Sequence, residues 1–174
     1  MTVTILEILN RLEETGIGVL VRESLWVFPV LVSIHILGLT LSVGTLVWFD
    51  LRLLGIGIRH CSVSRLYGRL KPWMLASFLV MVASGSMLFI GFATKAYPNI
   101  FFRIKVAGLV VAAVNALIYH LTTERSIGEW DEARVLPLRA RLAGLISILI
   151  WTVIILVGRM TAYTMYGPDA SLGS

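Results

Sequence analysis

The stretch LWVFPVLVSIHILGLTLSVGTLVWFDL, residues 25–51, decides the fold of this chain. The hydrocarbon core of a bilayer is about 30 Å thick, and a helix that crosses it needs roughly 20 mostly apolar residues. Residues 25–51 exceed that length, and no charged side chain interrupts them before Asp50. Three further runs qualify: residues 72–92, 102–121 and 142–163. Pro72 suits a helix start, because the N–H it lacks has no partner in a first turn. Asn99 precedes the third run as a suitable N-cap. Gly167-Pro168 closes the last helix. The pattern predicts an all-α polytopic membrane protein, with four transmembrane helices in an up-down bundle. One domain covers residues 1–166, and residues 167–174 form a small, polar, flexible tail.

Composition agrees. Of the 174 residues, 57% are hydrophobic and 14% charged, with a mean hydropathy of +0.88. A soluble domain carries about 25% charged residues. The length allows one domain, so any chemistry belongs inside the bundle, in short loops or on a partner. A net charge of +5 and a pI near 9.8 resemble those of a nucleic-acid binder. The basic residues, however, gather at the ends of apolar runs, where membrane proteins place them, and no nucleic-acid partner is expected. A single cysteine, Cys61, leaves no disulfide within the chain. The first fourteen residues carry Glu7, Glu13 and Glu14 and lack a basic start, so no cleavable signal peptide is expected.

Lys and Arg in short loops set orientation. Arg52, Arg59, Arg65, Arg69 and Lys71 lie between the first two spans, and Arg125, Arg134, Arg139 and Arg141 between the last two, nine in all. Arg11, Arg22, Lys95 and Arg103 make four on the other side. The expectation is a bacterial inner membrane with both richer loops cytoplasmic and both termini on the periplasmic side. Before the first span, Ile5, Ile8, Leu9 and Leu12 recur at helical spacing, as in a short amphipathic helix on the outer surface that Gly16 and Gly18 break. Residues 122–141 offer a second surface helix, with Trp130 at headgroup level.

Ionisable groups at membrane depth are costly and mark function by default. His35 lies sixteen residues before Leu51, Lys105 sixteen before Leu121, and Arg159 seventeen after Leu142. At 1.5 Å per residue they share a level roughly 25 Å from the cytoplasmic end. These three form the candidate ligand site. Asp50, Arg52, His120 and Trp73 form a cytoplasmic-rim cluster, with Asn115 between the two levels. Three stripes of small and polar residues are expected to face one another: His35, Gly38, Ser42 and Thr45; Lys105, Gly108, Ala112, Asn115 and Tyr119; and Thr152, Arg159 and Tyr163, with Ser77 and Ser84 joining them. Trp26, Trp73, Tyr97 and Trp130 also read as interfacial anchors. Met74, Met81 and Met87 read as packing, and His60 and Cys61 as loop residues.

Such a site suits a b-type haem or a quinone, with the chain as the membrane component of a redox complex. Histidine is a common axial ligand, so His35 or His120 would hold the iron of a haem. The two histidines are separated by about 20 Å along the axis, so one haem does not bridge them. A His35/Met87 pair, or one histidine from each protomer of a dimer, remains. A small ion or solute transporter is the alternative, since His35, Asn115, His120 and Asp50 spread across the membrane. A structural accessory subunit is the third reading. No zinc spacing, phosphate loop or nucleophile elbow occurs, so the chain is not expected to be an enzyme. The expected partners are the lipid bilayer, further copies of the chain, or a larger membrane complex.

Several pieces together are distinctive: His35-Ile-Leu-Gly38-Leu39, Val43-Gly44-Thr45, Asp50 through Gly55, Lys71-Pro-Trp73, and Gly158-Arg159-Met-Thr-Ala162-Tyr163, with Lys105, Asn115 and His120. In these the chain, from about Trp26 to Tyr163, resembles an uncharacterised family of small four-helix bacterial inner-membrane proteins, a domain of unknown function. The resemblance implies the four-helix architecture and draws attention to His35, Asp50, Arg52, Lys105, Asn115, His120 and Arg159. It implies no activity. Copper-resistance D-type proteins and di-haem membrane cytochromes also carry transmembrane histidines, but this chain lacks their paired histidines per helix.

Overall fold

The computed structural model describes residues 4–56, 61–123, 127, 131 and 136–166. Helices α1 (Ile5–Glu13) and α2 (Gly16–Glu23) lead into the long α3 (Val27–Leu54). Then follow α4 (Val63–Gly91), the single turn α5 (Ala93–Ala96), α6 (Ile100–Ile118) and α7 (Leu138–Tyr166). A π-helical turn, Tyr119–Thr123, extends α6. Four helices are long and apolar enough to cross a membrane, and the chain is an all-α polytopic bundle.

Side-chain pairings fix the direction of each helix. His35 meets Met81 and Ser84, while Phe49 meets Tyr67 farther along, so α3 and α4 run antiparallel. Asn99 meets Thr164 and Asn115 meets Ala143, so α6 and α7 do the same. Close backbone approaches run α4–α3–α7–α6. The fourth side, between α4 and α6, is bridged by side chains: Phe89 and Phe102 stack with centroids 5.3 Å apart. Two apolar clusters fill the interior. Phe49, Leu53, Val63, Tyr119, Leu136 and Ala140 lie at one end, which we call the Asp131 end. Met81, Trp151 and Ile154 lie nearer the other, the Asn99 end.

The helices outrun the apolar segments that announce them. α4 begins at Val63, so Pro72 sits inside it rather than at its start. The residues ahead of Pro72 are amphipathic: Leu66, Tyr67 and Leu70 pack on the Phe49 cluster, while Ser64, Arg65 and Arg69 are exposed. That buried face carries the helix through the proline, which costs one backbone bond. α7 likewise starts at Leu138, with Ala140 buried between exposed Arg139 and Arg141. Asn99 does cap α6, its Oδ1 accepting from the Phe101 and Phe102 N–H groups at 3.0 and 3.2 Å.

At the N-terminus the amphipathic helix is present, but Gly16 and Gly18 do not end it. Thr15 caps a second helix, accepting from the Gly18 N–H at 3.3 Å. Glycine serves contact here: a Cβ at Gly91 would stand 2.7 Å from Val21 Cγ1, so bare backbone lets α2 lie against α4. Glu13 then pins α1 to α5, accepting from the Thr94 N–H and hydroxyl at 2.7 and 2.6 Å. Ile5, Leu6, Ile8, Ile17 and Leu20 remain exposed. The surface helix expected over residues 122–141, with Trp130, and the tail 167–174 fall outside the described residues, apart from Thr122, Thr123, Ile127, Asp131 and 136–141.

Candidate functional site

His35 is half-buried on the inner face of α3. Its Nδ1 lies 3.0 Å from the Met81 carbonyl oxygen and 3.1 Å from Ser84 Oγ. A carbonyl only accepts, so Nδ1 carries the proton, and the neutral ring keeps its lone pair on Nε2. Nε2 has no hydrogen-bond partner among the described residues. Ser84 is bound in turn, donating to the Val80 carbonyl at 2.6 Å. Gly85 forms the floor: a Cβ there would stand 2.9 Å from His35 Cε1.

Lys105 approaches from α6. Its ammonium lies within Coulombic reach of the imidazole. Its stem lies over Gly158 of α7, where a Cβ would be 3.8 Å from Lys105 Cδ. Among the described residues no acid pairs with it; the ion pairs found there join Arg22 to Glu13 and Glu23. Phe102, one turn before Lys105, stacks on Phe89, one turn after Gly85, and closes this layer toward the Asn99 end. All four long helices thus meet at one level through His35, Ser84-Gly85, Lys105 and Gly158.

Arg159 does not join them. It is exposed, as are Thr152 and Tyr163, so that stripe turns outward. The inner face of α7 is instead Ala140, Gly144, Ser147, Trp151, Ile154, Thr161 and Thr164. Thr152 satisfies its hydroxyl on the Ile148 carbonyl at 2.8 Å, which frees it to face outward. The stripes expected on α3 and α6 do face inward: Gly38, Ser42 and Tyr119 are buried, and His35, Thr45, Lys105, Gly108, Ala112 and Asn115 are half-buried. Ser77 and Ser84 of α4 are buried beside them.

Asp50, Arg52, His120 and Trp73, expected at the rim, and Asn115, expected between the two levels, each sit in a setting of their own. Asp50, 4% exposed, lies within interaction range of the buried Ser147 hydroxyl of α7. Arg52, 5% exposed, donates from Nε to the Cys61 carbonyl at 2.9 Å. Asn115 donates to the Ala143 carbonyl at 3.2 Å. His120 lies exposed on the π-turn, and Trp73 exposed on α4, as an interfacial anchor would.

Sequence reasoning missed the clasp beside Arg52. Asp131, in the segment between α6 and α7, accepts from the Ser64 N–H at 2.7 Å and from the Ser64 hydroxyl. It therefore caps α4 in place of Ser62, whose side chain makes no cap. Burial pushes the Asp131 carboxyl up, but the bonds from Ser64 and Val63 and the nearby Arg52 charge outweigh that and hold it below its ordinary value. Nothing local in the sequence around Asp131 marks this, because its partners lie 67 residues away.

Elsewhere, a wide apolar groove runs along the outward side of α3 beside Thr40, Gly44 and Trp48; among the described residues no ionisable group lines it. No curated protein and no solved structure matches the chain. A family profile does match residues 21–164, a span that holds every site residue described above and leaves α1 outside. The chain belongs to that family, described as "Family of unknown function (DUF6644)".

Proposed function

We propose that the His35–Lys105 level binds a quinone, and that the chain is the membrane component of a redox complex rather than an enzyme in its own right. The His35 ring carries this reading. With Nδ1 committed to the Met81 carbonyl, Nε2 is a fixed acceptor for the O–H of a quinol. The Lys105 ammonium supplies a donor for a quinone oxygen and balances charge on a reduced ring. The stacked Phe89 and Phe102 give a flat apolar wall beside the pair. A b-type haem would use the same Nε2 as an axial ligand and Lys105 for a propionate. The quinone is favoured because it needs one imidazole at this level, and His120 sits at the far end, exposed.

The same proposal places the chain in a bacterial inner membrane; the orientation within it, Asp131 end cytoplasmic and both termini outside, is supported by the nine-to-four division of Lys and Arg between the two sides. A neighbouring copy or subunit is supported by α6, which buries none of its residues within the single chain.

The test is organic extraction and quantification of quinone from the protein purified in mild detergent, with a reduced-minus-oxidised visible spectrum of the same sample. Quinone in near-stoichiometric amount, lost in His35→Ala and Lys105→Ala, is expected. A b-type spectrum lost in His35→Ala would transfer the site to haem. A colourless sample free of quinone, from cells making both, would refute the redox reading.

A further inference from the structure

We infer that Asp50 and Ser147 form a site for a small monovalent cation, a proton or a sodium ion, separate from the His35 level. Asp50 lies fifteen residues beyond His35 on α3, about 22 Å along the axis. α7 crosses α3 tightly at this point, because a Cβ on Gly144 would stand 3.0 Å from the Asp50 carbonyl oxygen. Ser147, buried one turn on, brings its hydroxyl within interaction range of the Asp50 side chain. The other carboxyl oxygen, Oδ2, is fully buried and has no hydrogen-bond partner among the described residues. A buried carboxyl oxygen without a partner is costly, and an ionisable group at membrane depth marks an ion or proton path by default.

The neighbouring charges do not supply the missing partner. Arg52 is turned to the Cys61 carbonyl and stands in the field of Asp131. On α4, Lys71 lies over the Tyr67 ring, 5.1 Å from its centroid. Arg139 and Arg141 of α7 are exposed. Tyr67 of α4 and Tyr119 of the π-turn are the other titratable groups, packed around Phe49 and Leu53 on either side of Asp50. One carboxyl oxygen and one hydroxyl suit a single positive charge. A divalent ion takes six or more oxygens, usually with further carboxylates, and no group of three His, Cys, Asp or Glu forms among the described residues. Ser42, buried two turns nearer His35 on the same helix, has a hydroxyl with no hydrogen-bond partner among the described residues and extends the polar line along α3.

The experiment is labelling of the full chain in mild detergent with dicyclohexylcarbodiimide, read by mass spectrometry of the digest. This apolar reagent adds to a protonated carboxyl and rearranges to a stable N-acylurea. The expected result is a label on Asp50 whose rate falls about tenfold per pH unit on the alkaline side. Protection by sodium, but not by choline, at fixed pH would identify sodium as the occupant; indifference to sodium would identify the proton. An unlabelled Asp50 at every pH, or a rate indifferent to both pH and sodium, overturns the site. Melting temperature gives a second reading. Wild type should vary with pH or sodium more than Asp50→Asn does, and identical dependence in both proteins also overturns it. Quinone content plays no part in either reading, so this site and the His35 site fail separately.

Discussion

Gly85→Ala tests the His35 site without touching the imidazole or the lysine. The added Cβ would stand 2.9 Å from His35 Cε1 and 3.3 Å from Nδ1. Carbon atoms in contact prefer about 3.5–4.0 Å, so the ring must retreat by roughly 0.6 Å or more. The Nδ1 to Met81 bond starts at 3.0 Å. A retreat of that size takes it to about 3.6 Å, where an N–H···O contact is no longer a hydrogen bond. Such a bond contributes about 0.5–1.5 kcal/mol net, and with it goes the lock that keeps the lone pair on Nε2. Quinone affinity should therefore fall about two- to tenfold. The same change favours the fold, since alanine in a helix interior gains about 0.5–1 kcal/mol over glycine. The two effects separate: binding falls while thermal stability in detergent holds or rises. Quinone titration of the stripped protein, beside a melting curve, reads both. Unchanged affinity in a well-folded Gly85→Ala protein would refute the reasoning, as would loss of binding only in step with loss of fold.

Other outcomes follow from the same contacts. Asn99→Ala removes the cap of α6 and the bond to Thr164 Oγ1 at 2.7 Å. It should cost about 2–3 kcal/mol in denaturant titration, and Asn99→Asp, which keeps the capping oxygen, should cost less. Gly144→Ala would press a methyl onto the Asp50 backbone and Leu53 Cβ at 3.0–3.2 Å; with rigid backbone on one side, a loss of about 1–3 kcal/mol is expected from the melting curve. For Asp131, a carboxyl held low in the folded state stabilises fully above its ordinary value and loses that contribution as pH falls through the lowered one. Acid should therefore loosen the start of α4, seen as faster hydrogen exchange at Val63 and Ser64, and Asp131→Asn should remove that pH dependence. Cys61, the single cysteine, sits at the Asp131 end. A membrane-impermeant maleimide should label it in inverted vesicles and not in right-side-out ones, and the reverse would invert the proposed topology.

The four spans and two of the three inward stripes were legible because their causes are local. Length and hydropathy announce a span, and residues three and four apart share a face. Gly38, Ser42, Gly108 and Ala112 face inward as small residues do where helices touch. Helix ends were less legible. Pro72 marks a start in isolation, but the buried face of Leu66, Tyr67 and Leu70 exists only against Phe49 and Leu53, which lie earlier in the chain. On α7 the rule that polar residues face inward failed at Thr152. A threonine bonded to its own helix costs little on an outward surface, and Trp151 and Ile154 filled the interior in its place.

Arg159 and Lys105 show why depth alone does not make a site. Counting places both at the level of His35, and the contact between Lys105 and Gly158 bears that level out. Depth along a helix needs only the rise per residue, whereas facing needs the neighbour. Gly158 faces inward, so Arg159, one residue on and about 100° around the helix, points away. A long guanidinium near the end of α7 reaches the interface by extending, as basic side chains do. Lys105 lies with Gly108 and Ala112 on the face that meets α7, where its stem packs over Gly158 and its charge acts on His35. Exchanging the two environments is therefore informative. Arg159→Ala should leave quinone content near wild type, because the side chain is exposed, while Lys105→Ala should empty the site. Equal loss in both variants would mean that Arg159 reaches the ligand from a neighbouring copy, and the site would then be shared between chains.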